Sequence, residues 1–217
     1  MQFVSYHEAG FSFCQIPGKS KEIKSTKEEL YMTTVFKYFK TLALVALLFV
    51  FAAQPVLAAD IPAFAKPVAI TSLGQSPDAK MTSALAKRAK VDAFFKPLAS
   101  AAELKGHKTI LVSVGVSLKG FGSAGVNVDT EKKRCDEIVA QAKSSGAYLI
   151  LVHIGGSGRR DGMTNTLVEY FAPHADAFIV YEQGNEDGFF NKIAKGKPLV
   201  LLPKTADLTD VLQSHNK

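Results

Sequence analysis

The sequence predicts a three-layer α/β domain with a mainly parallel sheet, flavodoxin- or Rossmann-like in winding. Three observations carry this. Short Val/Ile/Leu runs recur through residues 67–202, helix-period patterns separate them, and glycines or other turn residues mark nearly every junction. The strand candidates are Val68–Ser72, Ala93–Leu98, Thr109–Val116, Ala147–Ile154, Ala177–Tyr181 and Pro198–Leu202. Several are almost continuously apolar, as expected of strands covered on both faces.

The helices follow in order. Ser76-Pro77-Asp78 supplies a cap, a proline at the first helical position and an acid facing the dipole; Met81, Ala84 and Leu85 continue the pattern. Asp129 or Thr130 is expected to cap the next helix. Its buried stripe is Cys135, Ile138, Val139 and Ala142, and Gly146 ends it. Leu167, Tyr170 and Phe171 mark a third helix. Phe190, Ile193 and Ala194 mark a fourth, stopped at Gly196, and Leu208, Val211 and Leu212 mark the last. Ser100–His107 leaves room for little more than one turn. Right-handed crossovers then predict a sheet of five or six strands, the five in the order 2-1-3-4-5.

Composition bounds the rest. The chain has 217 residues, 26 Lys+Arg against 20 Asp+Glu, and two cysteines, Cys14 and Cys135. Two cysteines exclude a disulfide scaffold and a multi-cysteine metal site. Positive charge is mild and interspersed, so no nucleic-acid partner is expected. Lys37 and Lys40 precede the uncharged apolar run Thr41–Ala53; Gln54-Pro55 breaks it, and Val56-Leu57-Ala58 follows. That order predicts a secretory signal over 32–58, cleaved after Ala58 or Ala59, and a periplasmic or otherwise exported domain over 59–217. The alternative is an uncleaved anchor, but the run falls short of the ~20 residues of a bilayer span. The membrane is therefore expected as a partner only during export. Because Met32 opens a normal n-region, residues 1–31 are expected to be a mis-assigned extension. The domain that remains has 159 residues with 20 basic and 16 acidic side chains, enough for one buried core.

In open parallel sheets, ligands sit beyond the carboxyl ends of the strands, where the strand order reverses. The four loops expected there are Thr71–Ser76, Ser117–Gly125, His153–Gly162 and Glu182–Asn185, all rich in glycine, hydroxyls and amides. The expected partner is a small polar or anionic molecule. Its candidate binding residues are Ser72, Gly74, Gln75, Ser76, Lys119, His153, Gly155, Gly156, Arg159 and Arg160, with the two arginines as a clamp. An enzyme reading uses the same crevice, with His153 as acid–base and Ser157 or a water as nucleophile. A third reading is an interaction module without a small-molecule site.

Sharper motifs fail on context. Gly120–Gly125 matches G-x-G-x-x-G but follows the third strand and precedes no matching acid, so no dinucleotide cofactor is expected. Gly155-Gly156-Ser157-Gly158-Arg159 approximates a nucleophile elbow that Asp187 and His215 would complete, but Arg replaces the last glycine and a turn replaces the helix. His153, Asp161, His174, Asp176 and Glu182 fit no ligand spacing, and no metal is expected. Cys135 is expected to be a small core hydrophobe.

On Thr71–Asp78, Lys119-Gly120 through Ala124-Gly125, His153–Gly156 with Arg159-Arg160, and Asp187–Phe190, the chain resembles an uncharacterised family of exported bacterial proteins, a domain of unknown function. The resemblance runs from about Pro67 to Leu202 and implies compartment and fold, with no activity to carry over. A more distant likeness, through Glu103-Leu104-Lys105-Gly106 and the glycine turn after strand four, is to class I glutamine-amidotransferase-like domains. Their nucleophilic cysteine has no counterpart at His153-Ile154-Gly155.

Overall fold

The computed structural model describes residues 30–35, 37–38 and 60–216; the first of these segments are helical. The apolar run 41–53 and the expected cleavage site lie outside the described residues. Residues 60–216 carry one sheet of six parallel strands: β1 (Val68–Leu73), β2 (Ala93–Phe95), β3 (Thr109–Val114), β4 (Tyr148–His153), β5 (Ala177–Tyr181) and β6 (Leu199–Leu202). Their order is β2-β1-β3-β4-β5-β6, so the sixth strand extends the expected series at its far edge.

The helices are α1 (Asp78–Arg88), α2 (Leu118–Ala124), α3 (Val128–Ser145), α4 (Gly162–Phe171), α5 (Phe189–Ala194) and α6 (Leu208–His215). The chain moves one way across the sheet from β1 to β2 and the other way from β3 to β6. Right-handed connections therefore place α1 on one face and α2–α5 on the other. The core divides accordingly. Leu85 and Ala86 of α1 pack with Leu208 and Leu212 of α6, while Ile138, Leu167, Phe171 and Phe190 form the opposite cluster. Ile61 and Phe64, ahead of β1, are both 4% exposed and join the α1 face.

Several local expectations are corrected. The stretch 117–125, expected as a ligand loop, is mostly the helix α2, because the Ser117 hydroxyl accepts the Gly120 N–H and Gly125 ends it at φ 65°. The cap of α3 is Asn127, not Asp129 or Thr130. Asn127 Oδ1 accepts the Thr130 N–H while Thr130 Oγ1 accepts the Asn127 N–H, a capping box. At α1, Ser76 Oγ accepts the Asp78 N–H at 3.1 Å. Regular pairing of β2 ends at Phe95, yet the Lys96 N–H still reaches Ile70 O and the Ser72 N–H reaches Pro97 O. The expected end at Leu98 reflects that continuation.

Cys135 is buried on the α3 stripe, and desolvation pushes its thiol up to about 12. That is the inert core role expected for it.

Candidate functional site

The carboxyl ends of β1, β3, β4 and β5 lie side by side, so the four glycine-rich segments share one edge. Chemistry there depends on which polar groups remain available. Most do not.

The loops after β1 and β3 are joined to each other. The Ser76 N–H bonds Gly115 O at 3.1 Å, the Ser117 N–H bonds Gly74 O at 3.0 Å, and the Gly115 N–H bonds Leu73 O at 2.9 Å. Gln75 and Val116 form an antiparallel bridge. The approach is tight enough that a Cβ on Gly74 would strike Gly115 O, and one on Gly120 would strike Gln75 O. The reversal of strand order is thus filled by the chain's own backbone. A helix-terminal anion site built on the Gly74 and Ser76 N–H groups has no donors left.

Beneath this junction sits a residue absent from the sequence-derived set. Glu131 of α3 is fully buried, and its Oε2 accepts the Gly74 N–H at 2.6 Å and Gln75 Nε2 at 3.3 Å. Arg134, one turn on, pairs with Glu131 at 2.9 Å and donates to Ser72 O, Ala99 O and Thr71 Oγ1. Glu131 therefore accepts what the loop after β1 offers, at the point where a ligand anion was expected. The signal was its spacing: Glu131 precedes Cys135 by four residues and so lies on the apolar stripe of α3.

His153 is fully buried at the end of β4. Its Nδ1 lies 2.9 Å from Val114 O, its Nε2 lies 3.4 Å from Gly156 O, and its ring stacks on Phe190 at 5.3 Å. The acid–base reading required hydrogen bonds to Ser76, Ser157 or Glu182. The partners are backbone carbonyls instead, which corrects that expectation. Burial lowers the pKa of His153, outweighing the two carbonyls and the Asp78 charge that raise it. An imidazole with a lowered folded pKa stabilises the fold above the unfolded value of about 6.5, and that contribution fades as pH falls below it. The C2 proton of His153 should thus titrate below pH 6.5, and thermal stability should decline as pH falls through the same interval.

The two arginines part company. Arg160 is spent internally: Nε donates to Asn165 Oδ1 at 2.7 Å, Nη1 to Gly184 O at 2.5 Å, and the fork grips Asp187 at 3.1–3.2 Å. Its guanidinium lies 4.0 Å from the Phe189 ring centroid. The Arg160 side chain is 10% exposed and that of Asp187 63%. Arg160 hydrogen bonding holds the Asp187 carboxyl below its usual range. Arg160 thus clasps the loops after β4 and β5 rather than a ligand. Arg160→Ala should cost about 2 kcal/mol in urea unfolding by stranding buried Gly184 O. Asp187→Ala should cost less, because its carboxylate faces water. Arg159 folds its aliphatic stem over Gly155, and among the described residues its guanidinium has no hydrogen bond or ion pair.

Two clefts remain on this edge. One, of ≈ 320 Å³, is lined by Ser157, Arg160, Asn165, Gln183 and Asp187 among others. The other, of ≈ 330 Å³, lies beside the β1–β3 junction and is lined by Gln75, Ser76, Lys80, Ser117, Lys119 and Ser123 with two prolines and Gly120. Lys80 and Lys119 are exposed and, among the described residues, neither meets a carboxylate. The structure separates Gln75, Ser76 and Lys119 from Ser157 and Arg160, which sequence had gathered into one crevice. Ser72 lies buried below them in β1, and Gly156 packs against Gln183 and Tyr181. Lys80, Ser117 and Ser123 join the first cleft without having been singled out. Gln75 also stands out by its φ of 54°, a left-handed conformation uncommon for a side-chain-bearing residue.

Among the described residues, no group of three or more His, Cys, Asp or Glu is placed to hold a metal ion. None of their helices is long and apolar enough to cross a membrane.

The chain belongs to the family described as a domain of unknown function (DUF6305), matched over residues 65–216. No curated protein and no solved structure matches it.

Proposed function

We propose that this chain is an exported binding module that holds a small anionic ligand in the cleft between the N-terminal turn of α1 and α2. The observation that carries the proposal is the pair of lysines, Lys80 and Lys119, that have no carboxylate partner among the described residues and flank a cleft lined also by Ser76, Ser117 and Ser123. The Ser117 and Ser123 hydroxyls supply donors there, and the two ammonium groups supply charge. This moves the anion from the arginines to the lysines. Export rests on the order of basic, apolar and small residues over 37–58, and N-terminal sequencing of the secreted or periplasmic fraction should give Ala59 or Asp60.

Calorimetric titration of the full chain with inorganic phosphate and with a short dicarboxylate tests the site. At least one should bind saturably, and Lys80→Ala and Lys119→Ala should each weaken it by roughly tenfold, with affinity falling as salt rises. Affinity unaltered in the double variant contradicts the proposal.

The interaction-module reading keeps one observation in its favour. Leu118 is 69% exposed and Met81 50%, each adjacent in sequence to a cleft lysine. Leu118→Ser leaves phosphate binding unchanged if the cleft takes a small anion, and it abolishes partner capture if a protein docks there.

A further inference from the structure

Among the described residues, three buried polar side chains on the α1 side of the sheet have an oxygen without a hydrogen-bond partner. Asp78 is 7% exposed, and its Oδ2 is sealed from solvent without a hydrogen-bond partner. Ser72 Oγ and Ser113 Oγ, at 0% and 1% exposure, are likewise unpartnered. Ser72 and Ser113 are register partners on β1 and β3. Their side chains share the α1 face with Ile70 and Leu111, because strand side chains alternate. Asp78 Oδ2 reaches the backbone just beyond β3 and β4. It lies 3.2 Å from where a Cβ on Gly115 would sit, and 2.7 Å from the same point on Gly155. Glycine at 115 and 155 keeps side chains out of that space.

The cover is Arg159. Its Cβ and Cγ crowd the same point on Gly155 that Asp78 Oδ2 approaches. A buried carboxylate oxygen without a donor and the stem of an arginine whose guanidinium has no acceptor among the described residues thus meet at Gly155 and do not bond each other. Native folds leave few such groups unsatisfied, and each exception calls for a physical explanation.

We infer that the turn Gly155–Arg159 closes over a second site, which takes a small zwitterion of the α-amino-acid class. The ligand's ammonium bonds Asp78 Oδ2, with the Ser72 and Ser113 hydroxyls beneath, and its carboxylate meets the Arg159 fork. A molecule with only one of the charges leaves either the buried carboxylate or the guanidinium as it stands, so both are needed. Entry requires the turn Gly156–Arg159 to shift off Gly155, since Arg159 Cβ as well as Cγ covers it; Ser157 and Gly158 of that turn are exposed.

The test is calorimetric titration of the full chain with the proteinogenic L-amino acids, and with the deaminated and decarboxylated analogues of whichever binds. One amino acid should bind saturably below about 1 mM, and each analogue at least about tenfold more weakly. Arg159→Gln and Asp78→Asn should each weaken binding by about tenfold or more. Should Asp78→Asn fail to fold, Arg159→Gln, on the exposed turn, carries the test. Absence of saturable binding to about 10 mM overturns the inference, as does equal binding of an analogue lacking one charge. Lys119→Ala should leave amino-acid binding intact, which separates this site from the phosphate cleft: either can fail without the other.

Discussion

Glu131→Ala should cost about 3–5 kcal/mol of folding stability, the range for removing one partner of a buried ion pair. The loss has two parts. Arg134, whose side chain is 11% exposed, keeps its charge without its carboxylate partner. The Gly74 N–H and one hydrogen of the Gln75 amide lose their buried acceptor. For a domain of this length that is a fall in Tm of roughly 6–20 °C. Glu131→Gln should fall between, since an amide oxygen still accepts from Gly74 while the charge opposite Arg134 is gone. Chemical denaturation of the three proteins measures the order directly. If Glu131→Ala unfolded with an unchanged midpoint, the junction between the β1 and β3 loops would not depend on it.

Gly74→Ala should be at least as damaging, for a backbone reason. Gly74 sits at φ 103°, where a Cβ is strained, and that Cβ would strike Gly115 O inside the hydrogen-bonded junction. The change cannot be absorbed by a rotamer, because both colliding partners are backbone. We expect about 3 kcal/mol or more, or separation of the two loops with loss of the Gln75–Val116 bridge. Amide hydrogen exchange distinguishes the two: loop separation accelerates exchange at Ser76, Gly115 and Ser117 while strand amides such as Ile110 and Leu151 stay protected. Uniform protection at wild-type stability would contradict the geometry.

The fold was legible because each level of the sequence agreed with the next. Continuous Val/Ile/Leu runs such as those of β3 and β4 belong to strands covered on both faces, and Gly146 ends α3 in the left-handed conformation expected of a helix-terminal glycine. Ser117–Gly125 misled because glycine spacing suggests a loop, whereas the Ser117 cap and packing of Phe121 make it a helix. The site was legible in place but not in detail. Which donors are free depends on contacts between residues far apart in sequence. Gly74 meets Glu131 across 57 positions and Arg160 meets Asp187 across 27, and no local pattern carries either pairing. Glu131 alone left a trace, as a charged residue on an apolar helical stripe. Asp78 was correctly read as an acid at a helix start, yet its orphaned oxygen appears only once Gly115 and Gly155 are brought beside it.

The strand-order reversal is closed by the chain itself, and the proposed anion site lies beside it, at Lys80 and Lys119. Amide chemical-shift mapping of the isotope-labelled chain during titration with inorganic phosphate, and with the short dicarboxylate, tests this most directly. Saturable shifts are expected at Gln75, Lys80, Ser117, Lys119, Gly120 and Ser123, abolished in the Lys80→Ala/Lys119→Ala double variant. Shifts confined to Gly155–Arg160 and Glu182–Asp187, or no saturable shift with either phosphate or the short dicarboxylate, would contradict it.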